Sequence, residues 1–118
     1  MGFLIILDRA KDIVIRGGEN IGCAEVEYAI TEHHAVNEVS VYGIPDERLG
    51  EILCASIMLM SGETLSAGEL NSFLKTKIAG FKIPEKVFFQ YEQLPRIAAG
   101  KINKKELRQQ TLTELSIT

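Results

Sequence analysis

The sequence has no tryptophan, two cysteines, and no apolar run that reaches the ~18 residues of a helical membrane span. No segment therefore qualifies as a transmembrane helix. Cys23 and Cys54 are far apart and form no C-x-x-C pair, so a paired-cysteine zinc or redox motif is excluded, and two reduced thiols are expected. His33 and His34 are neighbours. Adjacent side chains on a helix diverge, so no shared metal is expected there and no metal ligand is assigned. Neither G-x-x-x-x-G-K-[ST] nor G-x-G-x-x-G occurs, which excludes the common phosphate loops. There is no internal repeat and no low-complexity segment. Residues 1–7 are too short for a secretory apolar core, and charge follows at once in Asp8-Arg9, so the expected compartment is the cytoplasm.

What is present suits one domain with a real core: 118 residues, 46% of them hydrophobic. The net charge of −3 hides an asymmetry. Residues 1–74 carry four basic and twelve acidic side chains, whereas residues 75–108 carry nine basic and three acidic. The C-terminal third can therefore face an anion such as a nucleotide or phosphate. It has no interleaved aromatics, which argues against nucleic acid as the partner.

Periodicity gives the elements. Residues 2–7 form a short apolar run and Ile13-Val14-Ile15 is β-branched; both read as strands. A chain that opens inside a strand is expected to be a piece of something longer. Gly17-Gly18 suits a tight turn or a close backbone approach to a ligand. Val26, Ala29 and Ile30 recur at helical spacing within residues 24–33, with Glu25 and Glu27 near the positive end of the helix dipole. Residues 36–44 read as a strand with Val39 and Val41 on one face, and Pro45-Asp46 as a turn. Residues 51–60 are apolar almost throughout, as in a strand buried on both faces. Ser66-Ala67-Gly68-Glu69 is a capping box that starts a helix ending at Gly80. Val87-Phe88-Phe89 is a strand, and a last helix runs over about 103–112. The order is β-β-α-β-β-α-β-α. It predicts an α+β fold, a small domain with a mainly antiparallel sheet flanked by three helices.

Lys101 is the candidate for chemistry, although the stretch around it taken alone reads equally as a solvated basic turn. Ala98, Ala99 and Gly100 cannot shield it, and Gly100 admits backbone conformations closed to other residues. Asn103 can cap the next helix, with Glu106 completing a box-like start. A flexible loop on a firm helix would carry this cation out to a partner.

Several stretches, in order, carry a resemblance. They are residues 8–21 (Asp8-Arg9-Ala10-Lys11-Asp12 through Arg16-Gly17-Gly18-Glu19-Asn20-Ile21), Ala24-Glu25-Val26-Glu27, Val41-Tyr42-Gly43-Ile44-Pro45-Asp46 with Leu49-Gly50-Glu51, Phe81-Lys82-Ile83-Pro84, and Leu94-Pro95 through Leu107-Arg108. Together they resemble the small, mobile C-terminal domain of adenylate-forming enzymes, the superfamily of acyl-CoA synthetases, luciferases and peptide-synthetase adenylation domains. The resemblance implies that Lys101 reaches the substrate carboxylate and the α-phosphate of ATP, and that Arg9 touches the ribose hydroxyls. It makes Lys11 the hinge between half-reactions. Gly18, with Gly17, would line the pantetheine tunnel, and Lys82 is grouped with them, although its motif serves packing as readily as CoA contact. Cys23 stands where many members have proline.

The implied activity is that of an ATP-dependent acyl-CoA ligase of fatty-acid and related metabolism. Carboxylate and ATP give acyl-AMP, and CoA then gives the thioester. ATP and CoA are substrates, and Mg accompanies ATP, bound mainly by a large N-terminal adenylation domain that these residues do not include. The expected partners are that domain, a carboxylic acid, ATP and CoA. The fragment alone is expected to be inactive. The alternatives are an aryl or amino-acid adenylating enzyme that loads a carrier protein, and a non-catalytic interaction module with this fold.

Overall fold

The computed structural model describes residues 12–117. The expected strand over residues 2–7, and with it Arg9 and Lys11, lies outside the described residues. The described elements are β1 (Ile13–Arg16), β2 (Glu19–Gly22), α1 (Cys23–Thr31), β3 (Val36–Asp46), β4 (Gly50–Leu59), α2 (Ala67–Lys75), a 3₁₀ turn (Gly80–Lys82), β5 (Lys86–Gln90) and α3 (Lys104–Ile117). This is the expected α+β arrangement, with one substitution in its parts. The second strand of the described order is β2, where the sequence suggests only a turn.

The reason lies in Gly17-Gly18. Both have positive φ, +56° and +86°, which only glycine adopts without strain. Two such residues in succession make a type I′ turn, whose twist matches that of a hairpin. Arg16 therefore pairs with Glu19, and β1 and β2 run antiparallel from Ile13↔Gly22 to Arg16↔Glu19.

The sheet runs β2-β1-β4-β3, with β5 also paired to β4. β3 and β4 form a long antiparallel hairpin from Val36↔Leu59 to Asp46↔Gly50, so Pro45 lies in the last rungs of the strand rather than in the turn. β4 is the centre. β3 lies on one side; on the other, β1 meets it at Arg16↔Gly50 and β5 runs parallel to it from Cys54↔Lys86 to Met58↔Gln90.

A central strand must satisfy two faces, and β4 does. Leu53, Ala55, Ile57 and Leu59 pack on one side with Val39 and Val41 of β3, Val26, Ala29 and Ile30 of α1, and Leu70 and Leu74 of α2. Ile52 and Cys54 pack on the other with Tyr42, Ile44 and Leu107 of α3. α1 and α2 thus cover one face and α3 the other. Inside the second layer the Tyr42 hydroxyl joins Ser56 Oγ at 2.8 Å and Thr111 Oγ1 at 2.7 Å, tying α3 to β3 and β4.

The helix ends follow their caps. Ser66 and Glu69 make a complete capping box, Glu69 N donating to Ser66 Oγ at 3.1 Å and Ser66 N to Glu69 Oε1 at 2.9 Å. α3 has only half of the expected one. Glu106 N donates to Asn103 Oδ1 at 3.1 Å, but Asn103 N goes to Pro95 O, and Glu106 accepts from Gln110 instead. The two histidines, expected to diverge, stack with ring centroids 4.7 Å apart, because they sit beyond the last turn of α1 where helical directions no longer apply.

Candidate functional site

Lys101 is exposed and sits on a closed hairpin rather than a flexible loop. Ile97 N donates to Lys101 O at 2.8 Å, Gly100 N to Ile97 O at 2.9 Å, and Asn103 N to Pro95 O at 2.7 Å. Arg96 and Ile102 pair across it. Gly100 takes φ +90°, which permits the reversal. Arg96 fastens the hairpin to the sheet: its guanidinium donates to Gly100 O at 2.8 Å and to the Glu38 carboxylate on β3. The lysine is thus held by backbone on both sides, with its side chain free.

The hairpin forms one wall of a groove of about 720 Å³ whose lining includes Arg96, Lys101, Lys104, Arg108, Asp12 and Glu27. Among the described residues no partner is recorded for the side chains of Lys101 and Arg108, whereas Arg96 and Lys104 are paired with carboxylates. The free positive charge of the groove is therefore that of Lys101 and Arg108.

Lys104 closes the groove floor. Its Nζ donates to Asp12 Oδ1 at 2.5 Å and to Val41 O at 2.8 Å, and lies 3.0 Å from Glu27 Oε2. Glu27 accepts from Val41 N at 2.8 Å. Val41 belongs to β3, an edge strand of the sheet among the described residues, so its amide and carbonyl would otherwise be unpaired there. A carboxylate from α1 and an ammonium from α3 satisfy both. Burial alone would lower the Lys104 pKa; the carboxylates of Asp12 and Glu27 outweigh it and hold the pKa above the usual lysine value. Sequence reading missed this cluster because its members are far apart in the chain.

Gly17 and Gly18 lie elsewhere. Gly17 N donates to Leu49 O at 2.8 Å, which joins their turn to the β3–β4 turn. Glu38, which holds the Lys101 hairpin, is at the opposite end of β3. Glu38 and Asp46 are eight steps apart along the strand, about 27 Å at the antiparallel rise. Gly18 has nothing within 4 Å of where a Cβ would stand, so its outer side is open. Lys82 is tied to the start of α1. It donates to both Glu25 carboxylate oxygens, at 2.9 and 3.0 Å, and three residues later Glu85 accepts from Arg16 Nε at 2.7 Å, beside Gly17. The structure thus ties Gly17 to the β3–β4 turn and Lys82 to the first turn of α1, and ties neither to the Lys101 hairpin.

Cys23, at the start of α1, is buried, and burial pushes its thiol up to about 12. That suppresses the thiolate a nucleophile would need. Cys54 is likewise buried and pushed up to about 12. Among the described residues no helix is long and apolar enough to cross a membrane.

The family described as the AMP-binding enzyme C-terminal domain matches residues 25–101. The mitochondrial medium-chain acyl-CoA ligase ACSF2 of Mus musculus is 47% identical over 116 residues, 98% of this chain and 19% of its own length. The crystal structure of apo MatB from Rhodopseudomonas palustris superposes with a TM-score of 0.81 at 36% identity, covering 86% of this chain and 20% of that one. The amide bond synthetase McbA from Marinactinospora thermotolerans gives 0.80 at 29% identity, covering 85% and 20%. The chain spans about a fifth of the length of the relatives it matches. With its fold, its ordered motifs and two thirds of its length matched, the chain belongs to the family of AMP-binding enzyme C-terminal domains.

Proposed function

We propose that this chain is the mobile C-terminal domain of an ATP-dependent acyl-CoA ligase and serves its two half-reactions with opposite ends. One observation carries the reading: the hairpin of the free lysine is tied to β3 at Glu38, near one end, and the open glycine turn is tied to Leu49, just past the other end. One face cannot present both to a single reacting centre, so a domain that uses both must turn. Lys101 would stand between the carboxylate and the α-phosphate of MgATP, offsetting the repulsion of two anions and the charge that develops as they join. After rotation at Lys11, the Gly17-Gly18 turn would border the pantetheine arm of CoA, where its lack of side chains leaves a narrow path. Lys82, paired with Glu25, is assigned to that step through its motif. Arg9 would meet the ribose.

The acid belongs to the large N-terminal domain, which would also hold Mg with ATP. The medium-chain name of the mouse relative makes an aliphatic carboxylate the first substrate class to try. The cytosol is the compartment assigned here, and the mitochondrial name of the same relative supplies the alternative. A second acceptor class is favoured by the likeness to an amide bond synthetase: here acyl-AMP would pass to an acceptor other than CoA, such as an amine, and the carrier-protein thiol is the related case.

The test uses the full-length enzyme that carries this chain, with acetate, octanoate, palmitate and malonate as acids. Pyrophosphate release that needs both ATP and one of these acids, followed by thioester formation with CoA, is the expected result. Adenylation without transfer to CoA would move the assignment to the second acceptor class. No adenylation with any of them would overturn it.

A further inference from the structure

Asp12 is the first residue the structure describes, one step past the hinge residue of the proposed function. Its backbone and side chain are both held by the domain. Asp12 O accepts from Cys23 N at 3.1 Å, at the start of α1, and Asp12 Oδ1 accepts from Lys104 Nζ at 2.5 Å. Lys104 stands three residues after Lys101, at the N-terminus of α3. Its remaining contacts, to Glu27 and Val41 O, fix it to α1 and to the edge of β3. An ammonium has three donors, and here three oxygens surround it.

We propose that the Asp12–Lys104 pair is a positioning link that makes the entry to the domain and the Lys101 hairpin one rigid body. This rests on the assignment of Lys101 to the adenylation step. The physical argument concerns leverage. The hairpin is carried by α3 on one side and by Arg96 on the other, whereas the domain's entry lies on β1 and α1. The Asp12–Lys104 contact joins the two directly. With it, a rotation of the backbone before Asp12 is delivered undiminished to Lys101. Without it, the contacts left to Asp12 among the described residues are the Cys23 amide and β1, and the position of Lys101 over the reacting atoms is smeared. Neither Asp12 nor Lys104 needs to touch substrate.

The consequence is selective. Adenylation needs Lys101 in place to a fraction of an ångström, and ~1 Å of misplacement can lower a rate by ~10². Transfer to CoA uses the other end of β3, so the link should not matter there.

The experiment compares half-reactions in the full-length enzyme. The acid is whichever of the four gives the fastest wild-type turnover, and its synthetic acyl-AMP is the second substrate. Asp12→Ala is the first variant. It removes one partner of a half-exposed pair and leaves Glu27 and Val41 O on Lys104, so the edge of β3 stays capped. Single-turnover adenylation should fall by about 10-fold or more with KM for ATP unchanged, while transfer from acyl-AMP to CoA stays within about 2-fold of wild type. Lys104→Met should show the same selectivity, and Lys104→Arg should restore most of the rate. Asp12→Ala added to Lys104→Met should cause no further loss, because the two act through one contact. Additive losses, an equal fall in both half-reactions, or unchanged adenylation in Asp12→Ala would overturn the link. Lys101→Ala, run alongside, separates this from the parent reading. If it abolishes adenylation while Asp12→Ala does nothing, only the link fails; if Lys101→Ala is itself silent, the parent reading fails.

Discussion

Asn103 donates its amide to the carbonyl of Pro95 at 2.7 Å, closing the hairpin on which Lys101 stands while using its side chain to cap α3. One residue thus joins the lysine to the helix that supports it. The capping oxygen and the amide are both committed, so the cation's base is rigid although its side chain is exposed.

Replacing Lys101 by alanine removes the charge without burying anything or breaking a backbone bond. The fold should be unaffected, and the melting temperature should match wild type. Loss of one preorganised charged contact in a closed site typically lowers a rate by about 10²–10³. That loss should fall on acyl-AMP formation in the full-length enzyme. Transfer from synthetic acyl-AMP to CoA should keep most of its rate. Near-normal adenylation would return Lys101 to the status of a solvated cation on a turn.

Gly18→Leu tests the other end. The φ of +86° is unfavourable for an L-residue by about 1–2 kcal/mol, so some loss of stability is expected, readable by urea denaturation. Nothing within 4 Å would clash with a Cβ, so the domain should still fold. Thioester formation should slow while adenylation persists. Gly18→Ala provides the control: similar strain, little protrusion, and therefore a smaller effect on transfer. If both variants transfer normally, the turn does not border the CoA path.

Tyr42→Phe addresses the seam between α3 and the sheet. The hydroxyl is fully buried between Ser56 and Thr111. Its removal leaves two buried hydroxyls short of a partner, for which about 1–3 kcal/mol of destabilisation is expected. Equilibrium unfolding measures it. A neutral result would mean that Ser56 and Thr111 find each other or water once the ring oxygen is gone.

Alkaline pH should unfold the domain progressively. Cys23 and Cys54 keep their protons to about 12 when folded, against a reference of 9.0. Above pH 9 the unfolded chain releases protons that the folded chain retains, so stability falls from about pH 9 to about 12. Lys104 adds a later component. Its folded pKa is raised above 10.5, so its contribution is complete below that pH and is lost as pH rises through the folded value. Chemical denaturation at pH 8, 9.5 and 11 should show this slope, and Cys23→Ala with Cys54→Ala should flatten its first part. At pH 8 both thiols should resist Ellman's reagent when folded and react fully in urea.

Much of this domain was determined by local sequence. Alternation in β3, the uniform apolar run of β4, the Ser66–Glu69 box and the spacing of Val26, Ala29 and Ile30 each fix an element through period or cap, because those signals act between neighbours. The exposure of Lys101 followed from the small residues before it. Motif order carried the family. What neighbours cannot specify was left to the tertiary structure. β2 exists because Gly17-Gly18 folds Glu19–Gly22 back onto β1, and its few residues have too little period of their own to announce it. The Lys101 loop is rigid because Arg96 finds Glu38 on a strand far away in the chain, and Asn103 spends its amide on Pro95 rather than on Glu106. The Asp12–Glu27–Lys104 cluster exists only because α1 and α3, on opposite faces of the sheet, both reach around the edge of β3 at Val41. A lone acid or base in sequence is a solvated charge by default. It becomes a structural contact when folding brings an unpaired backbone amide and carbonyl within its reach, and only the packed sheet decides which edge that is.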